Sequence, residues 1–395
     1  MSGPITIKRD IVLSTQERDR RYAAIRAQLA EHGIAGLIVT DSNLLYLSNG
    51  LPGEMFGFLP ARETDGFTSV LTWRYLADIS PQILLDAQDW VRDLRSGRDA
   101  TPVADRIKEL GLQDATIGYA GDLSHSAFAQ IVKALPSLKM VDVSDILTNV
   151  RTLKSEEELA LIDRANRIFD AAVDRVREFA RPGMRGRDVV QEGQRAMWQA
   201  GGDMNAMFKF SFGPIGNQNP VVAELCLERE IKTGDIGTMT AHSHFHHYAG
   251  HSDQVIAFGK PSARHRAMFD GVLEVRKAIM KLVRAGITHR ELTDTYEQAT
   301  AKVGFKTSPH SQMHLYGLDV PEFPGPAYKI PDTKGGKGLG GSGNFVLKAG
   351  MVYSISPTLV DDGTGDVVLA GTAFAVTDNG YRNFGEREPE LIIID

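Results

Sequence analysis

Cysteine is almost missing from this 395-residue chain, where Cys226 stands alone. A lone thiol excludes an intramolecular disulfide and any cysteine-built metal cluster. It reads as a small packed hydrophobe rather than a nucleophile, because no activating partner is identifiable. No apolar run is long enough to span a bilayer. The opening stretch, MSGPITIKRDIVLS, lacks the apolar core of a secretory signal. No Gly-rich phosphate loop follows a strand, which argues against a nucleotide cofactor. Excess positive charge is absent too: the formal net charge of -6 disfavours nucleic-acid and anionic-membrane partners. The default expectation is a cytoplasmic protein that acts on a small molecule.

What is present is a globular composition, 42% hydrophobic and 24% charged. The length exceeds one ordinary core and implies two domains. In the first part, helix and strand alternate. A charged amphipathic stretch, Gln16–His32, leads through Gly33 into the β-branched run Gly36–Thr40. Strand-like runs recur at Thr68–Trp73 and Ala115–Ala120, with helical segments at Thr101–Leu110 and Ser126–Leu135. This pattern predicts an α/β domain with a mainly parallel sheet over residues 1–150.

A boundary falls near Val141–Ser155. Ser155 and Glu158 have capping-box spacing, and apolar residues then recur at Leu159, Ile162, Ala165 and Phe169. A long helix is expected to open the second domain there. Further on, Arg181–Gly202 is echoed by Arg284–Phe305, each a Gly turn, a capped helix start and a helix closing on glycine. After the first copy come MFKFSFG and a His-rich stretch; after the second come VYSISPTLV and VVLAGTAFAVTDNG. Two helix-then-hairpin halves predict a pseudo-twofold α+β domain over residues 151–395, with a curved antiparallel sheet. Its site should draw on both halves. The Gly-rich stretch Thr333–Phe345 reads as a connection or lid.

The densest chemistry is TAHSHFHHYAGHSD, Thr240–Asp253, which holds five of the eleven histidines. His242 and His244 have the two-residue spacing that shares one face of a strand. Imidazole is the commonest metal ligand and the side chain that titrates near neutral pH. The bland reading is a His-rich loop or a hairpin whose histidines merely pack. His246 and His247 read as a solvated hairpin tip, His265 as a helix start and His289 as part of a turn.

A family likeness is carried by Val150–Ala165 (VRTLKSEEELALIDRA), the repeated Gly-capped helices and Gly234–Asp235. It continues in His314–Glu322 (HLYGLDVPE), Gly350–Pro357 (GMVYSISP) and Thr377–Gly380 (TDNG). Their order resembles the pita-bread superfamily, which includes methionine aminopeptidase, Xaa-Pro peptidases and creatinase, and the α/β region resembles the creatinase-type N-terminal domain. The resemblance implies that fold and a homodimer. It also implies a dinuclear metal site of two aspartates, one histidine and two glutamates in the peptidases. On that likeness Asp253 stands for the second aspartate and His314 for the histidine. The first aspartate falls on Thr240 counted from Asp235, or on His242 counted back from Asp253. The glutamate places hold Ser356 and Gly371. An ordinary dinuclear aminopeptidase is therefore not expected.

Two readings stay open. In one the site is metal-free, as in the creatinase branch, and histidines perform acid–base work. In the other, with a slight lean towards it, His242, Asp253 and His314 hold one divalent ion (iron, manganese, cobalt or zinc) as a two-histidine, one-carboxylate set. His244, His251 and His310 are the candidate bases. Gln218 stands where creatinase carries a catalytic histidine. Glu322 and Arg62 are candidate contacts for an amino group and a carboxylate of the substrate. The expectation is a creatinase-like hydrolase or lyase that breaks a non-peptide C–N bond, or eliminates, in a small polar metabolite. The alternatives are a mononuclear non-haem iron redox enzyme, a metal-dependent Xaa-Pro-type peptidase and an inactive binding module.

Overall fold

The computed structural model describes residues 13–72, 81–86, 88–213, 226–307, 312–320, 322 and 345–395. Two compact units result, Met1–Arg151 and Thr152–Asp395. In the first, helix α1 (Thr15–Glu31) starts where Ser14 Oγ accepts a hydrogen bond from the Glu17 amide at 3.1 Å. The strands are β1 (Gly36–Val39), β2 (Glu54–Pro60), β3 (Thr68–Thr72), β4 (Asp93–Gly97), β5 (Thr116–Ala120) and β6 (Lys139–Asp142). They lie in the order β4-β3-β2-β1-β5-β6. Helices α2 (Thr101–Glu109) and α3 (His125–Ala134) lay Val103, Ile107 and Ile131 onto Ile38, Phe58, Val70 and Ile117 of the sheet.

This sheet is mainly parallel, as expected, with one antiparallel strand inside it. Strands β1, β5 and β6 pair in parallel, as do β3 and β4, but β2 runs antiparallel to both its neighbours. For β2 and β3 the cause is connection length. Residues 61–67 between β2 and β3 are too few for a parallel crossover, which needs roughly a dozen or more.

The second unit opens with α4 (Glu156–Phe179) and α5 (Gly186–Gln199). The capping box of α4 is complete: Ser155 Oγ accepts from the Glu158 amide, and Glu158 Oε2 accepts from the Ser155 amide. Strands β7 (Met207–Phe212), β8 (Ile236–Phe245) and β9 (Tyr248–Phe258) follow, then α6 (Ala263–Met280) and α7 (His289–Val303). The remaining strands are β10 (Lys306–Thr307), β11 (Gln312–Leu315), β12 (Val352–Ser356), β13 (Thr358–Val360), β14 (Val367–Leu369), β15 (Gly371–Thr377), β16 (Gly380–Asn383) and β17 (Leu391–Ile394). The main sheet runs β11-β12-β15-β9-β8-β7, so it joins strands of both halves; β10, β13 and β14 form a small second sheet.

Period-two alternation decides the two faces of the main sheet. Phe208, Phe210, Phe212, Met239, Ala241 and Ile256 pack on Ile168, Phe169 and Val173 of α4 and on Val189 and Met197 of α5. In the second half Tyr353, Ile355 and Phe374 pack on Val275 and Ile279 of α6 and on Leu292 and Tyr296 of α7. Each large apolar side chain buried this way contributes roughly 1.5–3 kcal/mol. The intervening residues point to the other face, and they include Lys209, Thr240, Ser354 and Ser356. Among the described residues, no helix is long and apolar enough to cross a membrane.

Candidate functional site

Strand register assembles this polar face in rows. Lys209 pairs with Thr240, Thr240 with Asp253 and Asp253 with Gly371. Two residues along, His242 pairs with His251, and Ser354 joins Ala373 to His314. Asp253 is central and 1% exposed. Its Oδ1 accepts from Thr240 Oγ1 at 2.5 Å, and its Oδ2 accepts from Ser356 Oγ at 2.6 Å and His251 Nε2 at 2.8 Å. Burial opposes ionisation of Asp253. The charge and hydrogen bond of His251, with the hydroxyls of Ser356 and Thr240, outweigh it and hold the carboxyl below its ordinary value.

An ionised carboxylate only accepts hydrogen bonds. His251 therefore donates from Nε2, and its Nδ1 is buried and takes no hydrogen bond among the described residues. The His251 ring stacks on Tyr316 at 5.2 Å and meets His242 edge-on at 5.4 Å. His314 lies 6.3 Å from it, with Nε2 at 3.0 Å from the Tyr316 hydroxyl. Burial, then the neighbouring His251, drives His314 down to about 3; burial, then His251 and Lys209, drives His242 down to about 2. Both imidazoles are neutral at neutral pH.

The register settles which residue opposes Asp253: it is Thr240, not His242. The expected metal set of His242, Asp253 and His314 finds no support in the geometry, because the donors of Asp253 and His314 are already engaged. Both Asp253 oxygens hold hydrogen bonds. His314 Nε2 meets the Tyr316 hydroxyl, and its Nδ1 lies 3.4 Å from the Leu315 carbonyl. Among the described residues, no group of three or more His, Cys, Asp or Glu side chains is placed to hold a metal ion.

Other expectations fare differently. His244 turns its Nδ1 to the His242 carbonyl at 3.0 Å, and burial lowers its pKa. It sits nearer the hairpin tip, opposite Ala249 rather than Asp253. Glu322 is not open to a substrate amino group: it is buried in an ion pair with Lys154, and its Oε1 accepts from the Leu318 amide. Arg62 is exposed on the first unit, where it pairs with Asp65 at 2.9 Å and donates to the Leu110 carbonyl. His289 does not belong to a turn. It is the first residue of α7, buried, with Nδ1 at 2.6 Å from the Tyr353 hydroxyl. His265 starts α6 and meets Asp366 at 2.9 Å. His246 and His247 form the tip of the β8–β9 hairpin, both with left-handed φ, and donate their amides to the Asp203 carboxylate. Gln218, His310 and residues 333–344 lie outside the described residues.

Sequence reasoning missed Thr240, Ser356 and Tyr316 as partners of the Asp253–His251 pair. It also missed Lys209, although a signal existed. In MFKFSFG every second residue is a buried phenylalanine, so the lysine between them has to face the polar side.

Comparison with known proteins agrees with this architecture. The model of Metallopeptidase family M24 matches residues 160–378, and that of the Creatinase/Prolidase N-terminal domain matches residues 21–153. The chain is similar to an Xaa-Pro dipeptidase of Pyrococcus furiosus, 26% identical over 292 residues, covering 73% of this chain and 78% of the relative. It is also similar to the uncharacterized peptidase YqhT of Bacillus subtilis, 23% identical over 94% of this chain and 99% of that one. In structure it matches an Xaa-Pro dipeptidase from Bacillus anthracis with a TM-score of 0.78 at 22% identity, covering 95% and 100% of the two chains. A creatinase-type N-terminal domain followed by a pita-bread domain is thereby established. The same relatives overturn the expectation of a creatinase-like enzyme acting on non-peptide C–N bonds or by elimination. They favour the Xaa-Pro peptidase alternative instead.

Proposed function

This chain belongs to metallopeptidase family M24, and from that membership we propose that it hydrolyses the amide bond of a short Xaa-Pro-type substrate at the sheet face around Asp253. The observation that carries the reading is the Asp253–His251 pair, seated where strands from both halves of the domain meet. Amide hydrolysis needs a nucleophilic water, a base for its proton and donors for the developing oxyanion. His251 fits the base: Asp253 holds Nε2–H, Nδ1 makes no hydrogen bond among the described residues, and the role requires the neutral ring. Asp253, ionised and fully buried, stabilises the imidazolium that forms when His251 takes the proton. His242, neutral and edge-on to His251, brings a ring N–H without a competing charge.

The family name implies metal ions, and the residues present do not fit a metal pair. A dinuclear site depends on carboxylates that bridge the ions. Here Asp253 is the carboxylate of the face, and Thr240, Ser356 and His251 fill its oxygens. The places that the resemblance gives to glutamates hold Ser356 and Gly371. A Cβ on residue 371 would meet the Ile355 carbonyl oxygen at 2.1 Å and Ser356 Oγ at 2.5 Å, so backbone and hydroxyl together occupy the volume of any side chain there. No step is routed through a metal.

The test is proline release from a panel of Xaa-Pro dipeptides, with and without added manganese or cobalt. Release is expected, and His251→Ala should lower kcat by about 10²–10⁴-fold, the ordinary weight of a general base. If no dipeptide is cleaved under any metal condition, the reading gives way to an inactive binding module.

A further inference from the structure

Lys209 is left unused by the reaction above. Phe208, Phe210 and Phe212 bury themselves towards the helices, so alternation turns Lys209 to the polar face. It stands opposite Thr240 at the end of the row that leads to Asp253. It is half-buried, and among the described residues it makes no hydrogen bond or ion pair. Its electrostatic neighbours are Asp253 and His242. Asp253 is a poor partner for it, because three donors already occupy that carboxylate. His242 and His314 are neutral. Lys209 is thus an amine on this face with donors to spare; burial lowers its pKa and the Asp253 charge opposes that shift.

We propose that Lys209 anchors the free carboxylate of the substrate, so that the site selects ligands ending in a carboxylate over the corresponding amides. The assignment rests on the Xaa-Pro reading and sharpens it. A carboxylate takes charge-assisted hydrogen bonds from an ammonium, and partial burial strengthens them relative to bulk water. A group built to bond a polar atom also rejects the analogue that lacks it, since its own donors are then left unpaired. The spacing agrees. Strand β7 lies two strands from β9, roughly 10 Å away, and the flexible four-carbon stem of lysine spans much of that interval. In an Xaa-Pro substrate the carboxylate sits on the residue after the scissile bond. The anchor and the His251 base therefore act on groups three bonds apart in one ligand.

The experiment compares wild type, Lys209→Met and Lys209→Arg by titration calorimetry, with L-proline and L-prolinamide as probes, alongside Xaa-Pro turnover. Hydrogen exchange of the β7 and β8 amides checks that the variants keep the fold. Wild type is expected to bind proline about tenfold or more tightly than prolinamide. Lys209→Met should lose that preference, with KM for the dipeptide raised by a similar factor and kcat within about threefold of wild type; Lys209→Arg should retain part of the preference. A Lys209→Met protein that is folded and keeps the acid-over-amide ratio overturns the assignment, as does a wild type with no such ratio. A wild type that prefers proline yet cleaves no dipeptide leaves the anchor standing and removes the hydrolase reading instead.

Discussion

Replacing Asp253 by asparagine keeps the shape of the central side chain and deletes its charge, so two opposing effects can be weighed. Burying a carboxylate costs several kcal/mol. Against that stand three hydrogen bonds of 2.5, 2.6 and 2.8 Å from Thr240, Ser356 and His251. Bonds to a charged acceptor are each worth roughly 1.5–3 kcal/mol net, and a donor left unmade costs about 1–3. The carboxyl is held below its ordinary value of 3.8 despite its burial, which says that the bonds win. An asparagine offers one oxygen and one NH2 where three donors converge. Hydroxyls can rotate to accept, but His251 must then change tautomer or lose its partner. The expected loss is roughly 2–4 kcal/mol at pH 7. Because the folded pKa is depressed, the carboxylate's contribution is fully present above the unfolded value of about 3.9. It disappears as pH falls through the folded value, so wild type and variant should converge in acid. Urea denaturation from pH 3 to pH 8, with hydrogen exchange in β8 and β9, measures both effects. An Asp253→Asn protein as stable as wild type at pH 7 would mean that desolvation dominates. The ionised Asp253 and the His251 tautomer would then both have to be abandoned.

Two further perturbations probe the unit around the site. Lys154 and Glu322 are buried at 1% and 6% side-chain exposure, so Lys154→Met alone should cost roughly 3–5 kcal/mol by stranding a carboxylate, whereas Lys154→Met with Glu322→Leu should recover most of it. Equal urea midpoints for wild type and the single variant would refute the pairing. Burial depresses His289 from 6.5 to about 4, so the fold favours its neutral form, and this contribution is intact above pH 6.5 and drains away as pH falls towards 4. About 3 kcal/mol is at stake over that window. His289→Gln should flatten the stability-versus-pH curve there by a corresponding amount, leaving the slopes of His242 and His314; an unchanged curve would show that folding does not shift the titration of His289.

The metal question turns on geometry rather than on residue counting. Three histidine rings and one aspartate do gather on one sheet face, with His251 neighbouring both His242 and His314. The heteroatoms of Asp253 and His314, however, are already engaged by other partners. A residue set that reads as a ligand list becomes a hydrogen-bonded network once Thr240, Ser356 and Tyr316 join it.

Short-range pattern was enough for the frame. The Ser155–Glu158 cap, the apolar period of α4, the echoed α5 and α7 and the alternation in β7 each depend on residues a few positions apart, whose energies are set by local backbone geometry. The superfamily architecture was legible for the same reason. The pairing of Thr240 with Asp253 was not, because the hairpin turns on His246–His247 rather than on the Asn-Gly type of tip that advertises such a turn. Counting along the chain thus left two registers open. The Lys154 partner of Glu322, 168 residues away, and the Ser356 hydroxyl filling the space beside Gly371 are equally silent in one dimension. Local preferences state which face a side chain takes. Only the assembled sheet, in which strands remote in sequence bring their donors to one carboxylate, determines whether that side chain is free to meet a ligand or is already satisfied.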